Sequence, residues 1–327
     1  MSQKQNPNPW IRWGKRLLTA LFFILVPVLL FLLVKNLEWN DVVQALRSYS
    51  PLTLAACVGI TATSFLLFAS YDLLGRAYTG HHLPARQILP LTFVCYAFNL
   101  NLSSWVGAIA LRYRLYSRLG LGVATVTRIL TFSLITNWLG YVILAGSVFS
   151  LRLVRLPDQW AIGTTALQVI GVCLLLVAAT YLLACRFAKR RSWSWREHEV
   201  TLPSLKLALT QAGMSMCNWS LSSLLVFLLL PSGIDYPTVL GIMLVSSIAG
   251  VITHIPAGLG VLEAVFIAML QDQASKGAVL AALIGYRAIY LLLPLLVAVV
   301  VYLVLEKRAK HLRQKSQQSG RLKTEGT

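Results

Sequence analysis

Acidic residues are scarce in this chain. Eleven Asp and Glu stand against 29 Lys and Arg, and they are scattered from Glu38 to Glu325 with no DxxD pair and no HExxH motif. Metal-dependent transfer on a phosphorylated substrate needs carboxylates gathered at ligand spacing, so such an enzyme is disfavoured and no metal or cofactor site is expected. Cysteine is sparse too. Cys57, Cys95, Cys173, Cys185 and Cys217 are odd in number, lack CxxC or Cys/His spacing and lie in or beside apolar runs. They read as buried reduced thiols rather than a disulfide framework.

What the chain has instead is apolar length. It is 57% hydrophobic and only 12% charged, with apolar runs recurring from Leu17 to Leu305. This is the composition of an all-α polytopic membrane protein. The first run, Leu17 to Val34, is long enough to cross a hydrocarbon core of about 30 Å. It is followed by Lys35-Asn36-Leu37-Glu38 rather than a small-residue cleavage site, so it is expected to stay as an anchor.

The net charge of +18 would suggest a nucleic-acid partner in a soluble protein, but its placement carries the information here. Lys and Arg mark the cytoplasmic side of a membrane protein, and no nucleic acid is expected. They gather in the N-terminal tail (Lys4, Arg12, Lys15, Arg16), in the stretch Arg186 to Lys206 and in the tail after Glu306. All three are therefore assigned inside, and both termini are expected in the cytoplasm. The loops Lys35 to Ser50, Leu151 to Trp160 and Pro231 to Tyr236 carry few or none and fall outside.

One crossing per apolar run would put the basic stretch Arg186 to Lys206 outside. The conflict disappears if Ile88 to Arg118 is a re-entrant hairpin, broken around Asn99, Asn101, Ser103, Ser104 and Gly107; two short full crossings would leave the parity unchanged. The expected order is then spans 17–34 and 52–71, hairpin 88–118 and span 123–149, followed by spans 166–185 and 205–230, hairpin 237–270 and span 279–305. Residues 1–150 and 151–306 thus repeat one order of elements in opposite orientation, an inverted-topology repeat, with 307–327 as a basic cytoplasmic tail.

Residues 245–266, VSSIAGVITHIPAGLGVLEAVF, place His254, Pro256, Gly258, Gly260 and Glu263 in an otherwise apolar run. Non-helical backbone at membrane depth is tolerated only where protein covers it or a wet cavity adjoins it, so the break reads as part of a site. Glu263 at that depth needs a partner, and Arg287 on the next apolar run is the candidate. The pair reads equally as a transport element or as a structural neutralisation of two costly charges. In the first half Ser104, Gly107 and Arg112 occupy the corresponding place; Arg112, Arg114 and Arg118 are most simply positive-inside residues at the cytoplasmic mouth, but Arg112 is deep enough to meet a phosphate. Asp72 reads as interfacial, at the end of its span.

The segments CYAFNLNLSSWVG, RYRLYSRLG, TNWLGY and VSSIAGVITHIPAGLGVLEAVFIA, with Arg287 in GYR, resemble the membrane-embedded flippase half of lysylphosphatidylglycerol synthases. The resemblance runs from Arg12 to about Arg313, and its most specific element is P-x-G-x-G-x-x-E followed by Arg. It implies a lipid flippase fold in the bacterial cytoplasmic (inner) membrane, with Pro256, Gly258, Gly260, Glu263 and Arg287 in one half and Gly107 and Arg112 in the other. Ala108 stands where many family members carry an acidic residue. Only 21 residues follow Glu306, so the family's soluble aminoacyl-transfer half is not implied.

These parts suggest two helix N-termini at depth cradling an anionic head group, with Ser104, Gly107, Arg112, His254, Pro256, Gly258, Gly260, Glu263 and Arg287 around it. The expected function is movement of an anionic phospholipid or lipid-linked head group, without catalysis. The alternatives are a non-transporting subunit of a phospholipid-modifying enzyme and, with less support, an integral-membrane lipid transferase.

Overall fold

The computed structural model describes residues 39–102, 109–154, 156–157, 163–189, 191–195, 198–253 and 260–307. The predicted first span (17–34), the basic tail, and the predicted site residues Ser104, Gly107, His254, Pro256 and Gly258 lie outside the described residues.

The described chain is helical apart from one short hairpin. In order, α1 is Trp39–Arg47, α2 Pro51–Thr79, α3 Ala85–Asn101, α4 Leu111–Arg118, α5 Val123–Ser150 and α6 Thr164–Phe187. The strands β1 (Ser192–Trp195) and β2 (His198–Thr201) follow, then α7 (Leu205–Leu229), α8 (Tyr236–Thr253), α9 (Val261–Leu270) and α10 (Lys276–Lys307). Helices α2, α5, α6, α7, α8 and α10 are long and apolar enough to cross a membrane. The outer face of α6 leaves Val169, Leu176, Val177 and Leu183 exposed, as a helix facing lipid tails should.

Local chemistry sets the boundaries. Ser50 caps α2 by accepting the Thr53 amide at 3.1 Å, with Pro51 at the first helical position, where its missing N–H is harmless. Gly80, at φ 73°, ends α2 in the left-handed conformation that favours glycine. Ser204 and Ser275 cap α7 and α10 in the same way as Ser50. Where helices press closest, small residues make room: a Cβ on Gly171 of α6 would lie 2.6 Å from the Ser150 amide nitrogen.

Two departures from the sequence reading matter. The second span ends at Thr79 rather than Tyr71, so Asp72 sits inside the helix with two more turns beyond it. The basic stretch from Arg186 to Lys206 contains the antiparallel hairpin, in which Ser192 pairs with Thr201 and Trp195 with His198. Tyr78 at the end of α2 holds this hairpin, donating to the Thr201 carbonyl at 2.6 Å.

Each helix pair on either side of an undescribed segment comes back to the end where it began. The first turn of α3 (Arg86, Gln87) and the last residues of α4 (Leu115, Arg118) line one cleft together with the C-terminal end of α10. Thr238 at the start of α8 and Ala268 and Met269 near the end of α9 line another, with Arg152 and Thr164. α10 is interrupted at mid-length by a π-turn, Arg287–Leu292, where the Leu293 amide donates five residues back to Ala288. Pro294 supplies the cause, because its ring has no N–H and crowds the carbonyl four residues earlier.

Candidate functional site

Two Arg–carboxylate pairs occupy the interior, one beside each broken helix pair. In the first half Arg112, at the start of α4, lies against Asp72 of α2: Nη2 donates to Oδ1 at 3.1 Å and Nε to Oδ2 at 3.2 Å. Asp72 is fully buried and the Arg112 side chain is 4% exposed. Tyr116 donates to Asp72 Oδ2 at 2.8 Å and Thr92 of α3 at 3.1 Å, while Arg112 Nη2 also reaches Ser133 Oγ of α5 at 3.3 Å. Three helices meet at this carboxylate, and Arg112 links them to a fourth.

This corrects the interfacial reading of Asp72. A carboxylate can sit two turns inside a membrane helix when a guanidinium and two hydroxyls replace its water, and those partners come from two other helices, α3 and α4. The residue at position 108 is Ala, and the carboxylate that meets Arg112 comes from α2. Arg112 is thereby engaged by protein groups, not presented to an open cavity.

In the second half Glu263 lies at the third position of α9. Its Oε2 accepts the Gly260 amide at 3.0 Å and Arg287 Nη2 at 3.0 Å, and its Oε1 accepts Arg287 Nε at 2.6 Å. Reaching back to the residue that opens the helix is the second half of a capping box, and the helix dipole favours negative charge there. Gly260 has φ 80°, a conformation that a side chain would strain. The pair is less enclosed than the first, with Arg287 12% and Glu263 20% exposed.

The two broken pairs meet on α10. Asn101, the last residue of α3, donates from Nδ2 to the Leu291 carbonyl at 3.1 Å, one turn beyond Arg287 and inside the same π-turn. Tyr290 of that turn meets Ser64 Oγ of α2 at 2.7 Å, and Ser64 donates to Asn218 Oδ1 of α7 at 2.7 Å. Tyr286 stacks on Tyr290 with ring centroids 5.2 Å apart. A buried polar seam thus runs from the end of α3, through α10, to α2 and α7.

The remaining basic residues of α4 have a separate role. Arg118 Nη2 donates to Glu306 Oε1 at 3.0 Å, its Nη1 pairs with Oε2, and Arg114 lies 3.6 Å from the same carboxylate. These contacts clasp the end of α4 to the end of α10. Arg128 lies over the Tyr78 ring, 5.4 Å from its centroid. The Asn137 carbonyl accepts from Ser215 Oγ of α7 at 2.9 Å. Cys57, Cys95 and Cys185 are buried free thiols, whereas Cys173 and Cys217 are exposed on the helix surface.

Of the predicted site residues within the described chain, Gly260, Glu263 and Arg287 come together and Arg112 stands apart with Asp72. The sequence reading missed Asp72 as a partner, and it missed Ser64, Asn218 and Tyr290. A signal for part of this was present: Gln211, Ser215, Asn218 and Ser222 recur at helical spacing on α7, and all four are buried.

Known proteins resemble this chain over most of its length. The sequence profile described as lysylphosphatidylglycerol synthase TM region matches residues 17–298. The chain is 49% identical over 311 residues to inner membrane protein YbhN of Escherichia coli strain K12, covering 95% of this chain and 98% of that protein. It is 27% identical over 287 residues to the uncharacterized protein slr0712 of a Synechocystis strain, covering 86% and 88% of the two chains. With its six helices of spanning length and a match over most of its length, the chain belongs to the lysylphosphatidylglycerol synthase TM-region family and is a multi-pass inner-membrane protein.

Proposed function

We propose that this protein moves an anionic phospholipid, or an anionic lipid-linked head group, across the inner membrane. In this reading residues 1–150 and 151–306 are inverted repeats, with both termini and the 307–327 tail in the cytoplasm. The two broken pairs are re-entrant hairpins that enter from opposite faces. The observation that carries it is the convergence of α3 and α9 on one π-turn of α10, through Asn101 to Leu291 and Glu263 to Arg287. Transporters with inverted repeats place their sites where broken helices meet near the midplane.

Glu263 then acts as a resident anion. It takes up the Gly260 amide and the Arg287 guanidinium, the donor set that a phosphate monoester or diester would use at a helix N-terminus. An arriving head group displaces the carboxylate from Arg287, and Glu263 returns when the head group leaves. The acyl chains stay in lipid while the phosphate passes the polar seam. The Asp72–Arg112 pair, by contrast, holds the two arms of the first hairpin together and fixes them to α2 and α5 while the second half changes position.

The test is reconstitution in vesicles of phosphatidylglycerol and phosphatidylethanolamine carrying a fluorescent phosphatidylglycerol, with an impermeant quencher outside and with or without an imposed proton gradient. Purified protein should make inner-leaflet label accessible, and Arg287→Gln should not. Folded wild-type protein that moves no lipid under either condition would overturn the transport reading in favour of a non-transporting partner of a phospholipid-modifying enzyme.

A further inference from the structure

At the end of the molecule where α3 begins and α4 and α10 finish, a groove of about 400 Å³ opens between the three helices. Its walls are apolar: Leu91 of α3, Leu115 of α4, and Val301 and Leu305 of α10. Its rim is basic. Arg86 is exposed and has no ion-pair partner among the described residues, and across the opening Arg118 is fixed by Glu306. From the exposed lining residue Val300 the surface of α10 continues with exposed Leu296 and Leu303, so an apolar ligand reaches the groove sideways from the bilayer without crossing water.

We infer that this groove binds one acyl chain of an anionic phospholipid, with its phosphate held at Arg86. Apolar walls alone would accept any hydrocarbon. The exposed guanidinium at the rim selects for negative charge, because a side chain on the first turn of α3 stands where a head group would lie once its chain fills the slot between α3 and α10. The volume is within the range of about 300–1,000 Å³ typical of specific small-molecule pockets. Arg118 contributes less, since Glu306 already takes two of its nitrogens. The clasp instead keeps α4 and α10 at the spacing that leaves the slot open. As the loading site of a transporter the groove rests on the reading above, whereas its occupancy is measured without transport.

The experiment uses the full-length protein in nanodiscs with phosphatidylglycerol or phosphatidylethanolamine carrying a diazirine on one acyl chain, followed by irradiation and peptide mapping. Phosphatidylglycerol should label peptides containing Leu115 and Val301 several-fold more than phosphatidylethanolamine does. Arg86→Gln should remove that preference, bringing the two labels within about twofold of each other, and Val301→Trp should abolish groove labelling while thermal unfolding shows the protein folded. Equal labelling by both lipids in the wild type, or unchanged labelling in Val301→Trp, would mean annular lipid only and overturn the site. If Val301→Trp fails to fold, Val304→Trp, at an exposed lining position, is read by the same criteria. Groove labelling without lipid movement would sink the transport reading alone. Lipid movement without groove labelling would sink the groove alone.

Discussion

Asn101 and Leu291 are 190 residues apart in sequence, and the side-chain amide of one donates to the main-chain carbonyl of the other at the point where α10 leaves regular α geometry. That bond and the Glu263–Arg287 pair, one turn apart on α10, tie both helix pairs to the same interrupted segment. Both helix pairs therefore bear on the same turn of α10.

The Glu263–Arg287 pair distinguishes a structural staple from a transport element. Glu263→Gln leaves a mostly enclosed guanidinium short of its carboxylate and should lower stability by about 3 kcal/mol, the low end for breaking a buried pair because both side chains retain some exposure. Arg287→Gln in the same chain should restore most of it. Thermal unfolding in detergent measures both stability effects, and the vesicle assay measures whether the double variant moves lipid. A stable double variant that moves lipid at the parental rate would sink the transport role of the pair.

Asp72→Asn should be the more damaging substitution. Asp72 and Arg112 are more deeply enclosed than the second pair, and Asp72 also accepts from Tyr116 and Thr92, so the expected loss is about 3–5 kcal/mol with a lower folded yield. Size-exclusion profiles and melting curves of the two single variants, measured side by side, decide the order. An Asp72→Asn protein as stable as the parent would mean that Arg112 finds another partner.

Cysteines at positions 104 and 258, in a background lacking the five native thiols, should react with small polar reagents from opposite faces, Ser104→Cys from the cytoplasm and Gly258→Cys from outside. The native background must be cleared of Cys173 and Cys217 first, because both are exposed on the helix surface. Reaction of both from one face would refute the inverted arrangement of the two hairpins.

Gly171→Ala should cost about 1–3 kcal/mol by forcing α6 away from the end of α5, where no space remains for a Cβ. Gly213→Ala on α7 has open space at the same distance and should be neutral or slightly stabilising, since alanine favours the helix. Equal melting temperatures for the two variants would show that α6 packs more loosely than the Gly171–Ser150 approach indicates.

The long elements were legible because twenty or so apolar residues admit few other readings: α5, α6, α7 and α10 begin and end within three residues of the predicted spans. Helical periodicity gave little, since lipid-facing and core-facing positions are both apolar. Asp72 was misplaced for a definite reason. A charge normally ends a span, and the guanidinium that allows this one to continue lies 40 residues away on a helix whose position the local pattern does not encode. The Glu263–Arg287 pairing was readable because two costly charges on adjacent apolar segments have few partners to choose from. The π-turn was foreshadowed only by Pro294, and the β1–β2 hairpin was masked by the basic residues around it.

The π-turn also sets the phase of α10. Each residue of an α-helix advances about 100° around the axis, and a turn closed five residues back holds one residue more than the regular ladder. The half of α10 beyond Leu292 is thereby swung through that angle relative to the half that begins at Lys276, as on a shaft with a keyed joint. This phase lets the first half meet α7 and α9 while the second brings Glu306 round to Arg118 and leaves Val300 and Leu303 facing lipid. Should the joint slip by one residue, the far half would rotate as a body and open the clasp, while the Asn101 bond would lose its carbonyl: a single change of winding at mid-helix would be read out where α4 and α10 end.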